Sequence, residues 1–202
     1  MMGCDIRIYV ERRIGEKWHN CDYFVPDIRY AHGEAFRRIE CCGERNYGLF
    51  ATLANVRNYG HTDYICEPRG LPKDVSDYVR EEYEDELWDA HSCSYFTLQE
   101  LIDFSNEKHP LKRRGKLSPE QQTQLDNGIL PDHWCRYTSD PSYEVREWEE
   151  NINVLAPLIE DLKRRAEQLG MIYDFQWDGS DKSRQEAYEK SANIRIVFWF
   201  DN

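Results

Sequence analysis

A chain of 202 residues that is 40% hydrophobic, 13% aromatic and 32% charged has the apolar material for a core without covalent staples, which excludes wholesale disorder, collagen-like and transmembrane classes. Its 26 Lys and Arg stand against 38 Asp and Glu, a formal net charge of −12, so the summed field repels a nucleic-acid backbone and no direct nucleic-acid binding is expected. The length predicts a single domain over residues 1–202.

The start of the chain, Met1-Met2-Gly3-Cys4-Asp5-Ile6-Arg7, has an acid within five residues and no apolar run, so no secretory signal is expected. With no apolar stretch of about 20 residues, a cytoplasmic protein without membrane contact is expected. The alternation of Ile6, Ile8 and Val10 with Asp5, Arg7, Tyr9 and Glu11 predicts a half-buried strand. Gly15-Glu16 is a hairpin turn, and residues 17–24 return as a second strand. Residues 31–48, broken by Gly33, Gly43 and Gly48, read as loop with a short helix. Leu49, Leu53 and Val56 recur at helical spacing and predict a buried helix over residues 47–57. Four breakers between Asn58 and Pro72 (Gly60, Pro68, Gly70 and Pro72) predict a long loop, of the kind that is functional or mobile.

Residues 73–88 read as an acidic helix with Val75, Tyr78, Val79 and Tyr83 near one side, and its densest stretch, residues 81–86, as a solvated face. The segment Asp89-Ala90-His91-Ser92-Cys93-Ser94 reads as a loop. Thr97 followed by Glu100 is a capping box ahead of Leu98, Leu101, Ile102 and Phe104, and Ser118-Pro119 is a second helix start. The one basic run, Lys112-Arg113-Arg114-Gly115-Lys116, reads as a solvated loop, with phosphate contact as the alternative. Residues 141–169 are predicted helical, kinked or divided at Pro157. Strands over residues 171–177 and 194–200, separated by a polar turn at Asp178-Gly179-Ser180-Asp181, close the chain. The sum is an α+β fold with a mainly antiparallel sheet built from both chain ends and helices inserted between them.

Three features bear on chemistry. If the first and last strands share a sheet with their aliphatic faces on one core, Asp5, Arg7 and Tyr9 converge with Arg195, Trp199 and Asp201 on the opposite side. Arginines beside Trp199 and Tyr9 would make a platform for a planar anionic ring, against the plainer reading of a solvated face with cross-strand ion pairs. Arg69, bracketed by Pro68 and Pro72, suits carboxylate or phosphate recognition. His91 beside Cys93 is a weak nucleophile pair, because neighbours in one loop rarely reach each other in the needed geometry, and local capping is favoured. The seven cysteines lack zinc spacing, so free thiols, and no metal or cofactor, are expected.

Met2-Gly3-Cys4-Asp5-Ile6, Arg45-Asn46-Tyr47-Gly48-Leu49-Phe50-Ala51 with Ala54-Asn55-Val56-Arg57, Pro68-Arg69-Gly70-Leu71-Pro72, Asp89-Ala90-His91-Ser92 with Thr97-Leu98, and Arg195-Ile196-Val197-Phe198-Trp199-Phe200-Asp201-Asn202 together resemble a group of small accessory proteins of tailed phages and prophages that begin Met-Gly-Cys-Asp-Ile-His. The resemblance implies an accessory protein acting in the infected host cell and brings no established activity. The sequence departs from that pattern at Arg7, which stands where the group has His and which neither binds a cation nor accepts a proton.

Two functions follow as expectations. One is a counter-defence protein that sequesters a nucleotide-derived host signal through Arg7, Arg69 and Arg195 as phosphate ligands, Tyr9 and Trp199 as stacking rings, with Asp5, Asp201 and His91 beside them. Analogy with other sequestering proteins makes it a homo-oligomer. The other is a hydrolase of such a nucleotide, with Asp5, Asp201 and His91 as metal or acid/base groups. A third, acidic inhibition of a host nuclease, rests on the net charge alone.

Overall fold

The computed structural model of the chain describes residues 3–29, 35–42, 44–168 and 190–201. In chain order its elements are β1 (Asp5–Ile14), β2 (Lys17–Asn20), β3 (Tyr23–Pro26), β4 (Phe36–Ile39), α1 (Tyr47–Ala54), α2 (Asp77–Glu86), β5 (His91–Thr97), α3 (Leu98–Asn106), β6 (Leu111–Leu117), α4 (Pro119–Asp126), β7 (Glu144–Glu150), α5 (Ala156–Gln168) and β8 (Ile194–Asp201). They form two compact units. Met1–Asn46, Glu67–Glu107 and Leu155–Asn202 make unit 1; Tyr47–Cys66 and Lys108–Val154 make unit 2. The charge is divided unevenly between them: 18 basic and 29 acidic residues fall in unit 1, 8 and 9 in unit 2.

Unit 1 is built on a four-stranded antiparallel sheet in the order β2-β1-β8-β5. The first and last strands of the chain are neighbours, with Asp5 opposite Asp201, Arg7 opposite Trp199, Tyr9 opposite Val197 and Glu11 opposite Arg195. The α+β fold with its sheet made from both chain ends is therefore present. On one face Ile6, Ile8, Val10, Ile194, Ile196, Phe198 and Phe200 are all buried, as are Leu98 and Leu101 of α3 and Leu158, Leu162 and Ala166 of α5. Apolar alternation on both central strands commits that face to a core.

The opposite face is buried too, which the alternation did not predict. Tyr9, Val197 and Trp199 form a second core with Val75, Val79 and Cys93. The reason lies in α2. Its Glu82 accepts a hydrogen bond from the Tyr9 hydroxyl at 2.8 Å, and Glu86 accepts one from Trp199 Nε1 at 2.8 Å. Large rings bury favourably only when their polar tips find acceptors, and two glutamates four residues apart lie on one helix face, so the acidic helix lies over the rings.

Several local predictions need correction. The second strand is split into β2 and β3, because β3 leaves the main sheet to pair with β4, a segment expected to be loop. Residues 89–94 contribute to an edge strand, β5, paired with β8 through a bulge between His91 and Ser94. The basic run is not a solvated loop; it forms β6, whose partner β7 was expected to be helical. Charge hid both strands: their faces are matched by Arg113–Glu150 and Arg114–Glu147 ion pairs rather than by aliphatic alternation. Pro157 falls in the first turn of α5, where its missing N–H costs no helix bond. The expected capping box of Thr97 with Glu100 is formed, and the helix start expected at Ser118 carries a second one, with Gln121. The strand expected over residues 171–177 and the turn at Asp178–Asp181 lie outside the described residues.

Burial pushes the thiols of Cys21 and Cys93 and the phenol of Tyr78 up to about 12, and raises Tyr9 further still. In an unfolded chain such groups ionise near pH 8.5–10 (about the ordinary Cys and Tyr values). Each folded pKa exceeds its unfolded value, so the stabilisation is complete below the unfolded pKa and is lost as pH rises toward the folded one. Urea midpoints under reducing conditions are therefore expected to fall between about pH 8 and about pH 11. A midpoint indifferent to pH over that window would contradict this assignment.

Candidate functional site

In unit 1 the strand register brings Asp5, Arg7, Tyr9, Arg195, Trp199 and Asp201 to one sheet face. Each is engaged by other residues of the chain. Tyr9 is stacked on Trp199 with ring centroids 4.8 Å apart, and the Arg38 guanidinium lies 3.8 Å from the Tyr9 ring centre. The Trp199 ring is fully buried. Arg195, also buried, donates from Nε to Glu11 at 2.8 Å and from Nη1 to Asp74 at 2.9 Å, with Trp18 against its guanidinium. Arg7 meets Glu40 and Asp201 at 3.2 Å and Glu86 at 3.7 Å. Asp5 receives two hydrogen bonds from Arg45, at 2.8 and 2.7 Å. These bonds hold its carboxyl below the ordinary range against the smaller effect of burial.

Two residues stand apart from that set. His91 pairs with Phe200, on the aliphatic side of the sheet, stacks on its ring, and places Nδ1 3.1 Å from Ser92 Oγ. It therefore does not join Asp5 and Asp201, and among the described residues no group of three or more His, Cys, Asp or Glu is arranged to hold a metal ion. Arg69 lies beside β5, where it pairs with Glu100 at 2.7 Å and donates to the Tyr95 carbonyl. Arg7, Arg69 and Arg195 are thus matched by carboxylates, among them Glu86, which the sequence placed on a solvated face. The detectable signal was the need of Tyr9 and Trp199 for acceptors, which the Glu82/Glu86 spacing meets.

Unit 2 presents a different arrangement. An open cavity of about 370 Å³ is lined by Asn58, Tyr59, His61, Arg114, Gly115, Lys116, Arg136, Tyr137 and Val145. None of these residues is acidic, in a chain with 38 carboxylates. Arg114 and Lys116 alternate on β6. Lys116 also exchanges backbone hydrogen bonds with Cys135 at 2.8 and 3.2 Å, which brings Arg136 and Tyr137 alongside the strand. Gly115 leaves room for Trp134, whose ring atoms would lie 2.4 Å from any Cβ there. The Arg136 guanidinium sits 3.4 Å from the Tyr59 ring centre and 5.3 Å from that of Tyr137. Burial by itself would raise the Tyr59 phenol, but hydrogen bonds and charge from Arg57 and Arg136 prevail and hold it below its ordinary value.

The loop that carries Tyr59 is strained and heavily tied. Asn55, Arg57 and His61 all adopt positive φ, at 58°, 55° and 57°, a region that non-glycine residues enter only when the surroundings insist. The Asn58 side chain donates to the Thr62 carbonyl at 2.7 Å and accepts from the Thr62 N–H at 2.8 Å. Thr62 Oγ1 in turn bonds both backbone groups of Lys112 at 3.0 Å. Gly60 packs so closely on β6 that a Cβ would come within 2.0 Å of the Lys112 carbonyl oxygen. A cationic, aromatic pocket on a strained loop, with no acid in its lining and with Glu147 paired to Arg114 at 3.2 Å, is a site able to hold a planar anion. The sequence reading singled out the basic run but missed Tyr59, Arg136 and Tyr137, which are distant from it along the chain.

Comparison with known proteins finds no matching family model, no similar curated protein and no similar solved structure. Among the described residues, no helix is long and apolar enough to cross a membrane.

Proposed function

We propose that this protein binds and sequesters a small nucleotide-derived anion, in the manner of a phage accessory protein that withdraws a host signal, and that the ligand lies in the cavity of unit 2. The observation that carries the reading is that cavity's lining: three cations, two phenols, one imidazole and no carboxylate. Its volume falls in the usual range of small-molecule sites, about 300–1,000 Å³. Arg114, Lys116 and Arg136 supply charge-assisted donors for phosphate oxygens, and Tyr59 and Tyr137 supply faces for a base. The arginines on the sheet face of unit 1 support the reading less well, because Arg7 and Arg195 are each held by more than one carboxylate, whereas Arg114 has a single exposed pairing, with Glu147 at 3.2 Å.

The test is incubation with a panel of mononucleotides, linear and cyclic dinucleotides and cyclic ADP-ribose isomers, with mass spectrometry of bound and free fractions. Intact ligand recovered in stoichiometric amount is expected. Arg136→Ala is expected to weaken binding by about tenfold, the loss of one charge-assisted hydrogen bond, and Tyr59→Ala is expected to weaken it as well. Arg7→Ala, on the sheet face, is expected to leave affinity unchanged. No binding by any member, or equal affinity in the Arg136 and Tyr59 variants, would overturn the assignment; turnover of the ligand would establish the hydrolase instead.

One observation favours a second reading, an acidic inhibitor of a basic host protein. The α2 helix is followed by Leu87 and Trp88, 56% and 86% exposed, and itself carries exposed Glu81, Glu84 and Asp85. An exposed tryptophan that follows an acidic helix suits the apolar centre and cationic rim of a nucleic-acid-binding surface. Loss of a captured nuclease on Trp88→Ala is the corresponding expected result.

A further inference from the structure

The cationic cavity of unit 2 has a neighbour of opposite character. A second open cavity, also of about 370 Å³, is lined by Asn55, Asn58, His61, Thr62, Asp63 and Tyr64. That lining has no lysine or arginine and one carboxylate. The two cavities share Asn58 and His61, so the strained loop is their common wall. Hydrogen bonds within the loop hold that wall in place: Asn58 Nδ2 donates to Asn55 Oδ1 at 2.8 Å and to the Thr62 carbonyl at 2.7 Å, and Asn58 Oδ1 accepts from the Thr62 N–H at 2.8 Å. His61, at a φ of 57°, is exposed.

Asp63 is anchored but not saturated. Its Oδ1 accepts from the Lys112 ammonium at 2.9 Å, and its Oδ2 lies 3.2 Å from His109 Nδ1. A carboxylate offers about four lone-pair positions, two on each oxygen, so each oxygen keeps one for an incoming donor. The side chain is 47% exposed, and the donor can reach it.

We propose that the ligand is a two-part nucleotide: its phosphates lie in the cationic cavity, and beyond them it carries a ribosyl group whose vicinal diol is received by Asp63 in the second cavity. The inference rests on the cavity assigned under Proposed function and adds the chemical class of what it holds. A phosphate is repelled by the Asp63 carboxylate, whereas an uncharged group rich in O–H donors is favoured there. A vicinal diol presents two adjacent O–H groups to the two carboxylate oxygens, the contact by which acidic side chains hold ribose in dinucleotide sites. Each cavity alone is near the lower end of the usual size for a small-molecule site, about 300–1,000 Å³, so a mononucleotide occupies one and leaves the other empty. The ribosyl group has two sources, a free terminal ribose or the ribose of a second nucleoside, and both offer the same diol or hydroxyl donors to Asp63.

The experiment measures, by isothermal titration of the full chain, the affinities for ADP, ADP-ribose and diadenosine diphosphate. ADP carries more negative charge than either of the others, so charge alone predicts that it binds most tightly. The expected result is the reverse: ADP-ribose or diadenosine diphosphate binds about tenfold more tightly than ADP, the contribution of hydrogen bonds to a charged acceptor, and the tighter of the two identifies the source of the ribose. Asp63→Asn, a change of charge at nearly constant shape, is expected to erase that advantage without weakening ADP. Arg136→Ala is expected to weaken all three. Equal or tighter binding of ADP, with all three still sensitive to Arg136→Ala, would overturn the two-part ligand and leave the cationic cavity as the site. An advantage that survives Asp63→Asn would overturn the role of Asp63. Binding by none of the three would remove both the two-part ligand and the cavity assignment beneath it. The comparison of ligands on the unaltered protein decides the question even if Asp63→Asn fails to fold.

Discussion

Trp199→Ala is expected to lower the unfolding free energy by about 3–5 kcal/mol, read as a fall in the urea midpoint at unchanged slope. The indole is fully buried between β1 and α2, stacked on Tyr9 and packed edge-on by Tyr83 at 5.1 Å. Its removal leaves a cavity lined by Val79, Val197 and Cys93 and takes away the donor that holds Glu86. Against a typical domain stability of about 5–15 kcal/mol, the loss is a large fraction. Trp199→Phe separates the two contributions. It retains most of the packing and gives up the hydrogen bond, for a smaller cost of about 1 kcal/mol, because Glu86 is partly solvated and keeps Arg7 as a neighbour. Equal stability of the Ala variant and the parent would mean that the second sheet face is not a core, and would restore it as a ligand platform.

Arg195→Ala is expected to cost about 3–5 kcal/mol for a different reason: it strands a buried carboxylate. Glu11 is 0% exposed and keeps only the Ser76 backbone N–H, at 2.8 Å, once the guanidinium is gone. Asp74 is less affected, since its side chain is 60% exposed and water replaces the lost partner. The double replacement Glu11→Leu with Arg195→Met removes both charges and is expected to recover most of the loss, as apolar substitutes of similar volume do for buried pairs. A double-mutant cycle by urea unfolding reads this coupling. A double variant no more stable than Arg195→Ala alone would show that the guanidinium contributes through Trp18, 3.9 Å away, rather than through charge.

Both predictions concern residues that sequence reasoning offered as ligand contacts, and the reason is instructive. Strand alternation located them correctly: Asp5, Arg7, Tyr9, Arg195, Trp199 and Asp201 do share one face. What the alternation did not contain was the element on top of that face. Glu82 and Glu86 looked like two more charges of a solvated helix, and their role as acceptors for Tyr9 and Trp199 depends on a helix that is distant in the chain and adjacent in space. The same holds in unit 2. Arg114 and Lys116 were visible as a basic run, but the strand they form depends on Glu147 and Glu150 of β7, and the pocket they line depends on Arg136 lying over Tyr59.

By itself the sequence determined what is periodic or local. The 5–11 and 194–200 alternations, the Thr97 capping box and the helix start at Ser118 follow from side-chain spacing and backbone hydrogen-bonding needs, which act over a few residues; the pairing of the two end strands is made across the whole chain. Only the tertiary structure decided which charges are buried against carboxylates and which line a cavity. A cation's availability is set by the carboxylates within a few ångströms of it, and Coulomb interactions respond to distance in space, not along the chain. Arg195 and Arg136 are alike as letters in the sequence; Glu11 and Asp74 beside the first make it a structural ion, and a place on the lining of the unit 2 cavity makes the second a residue proposed to meet the ligand.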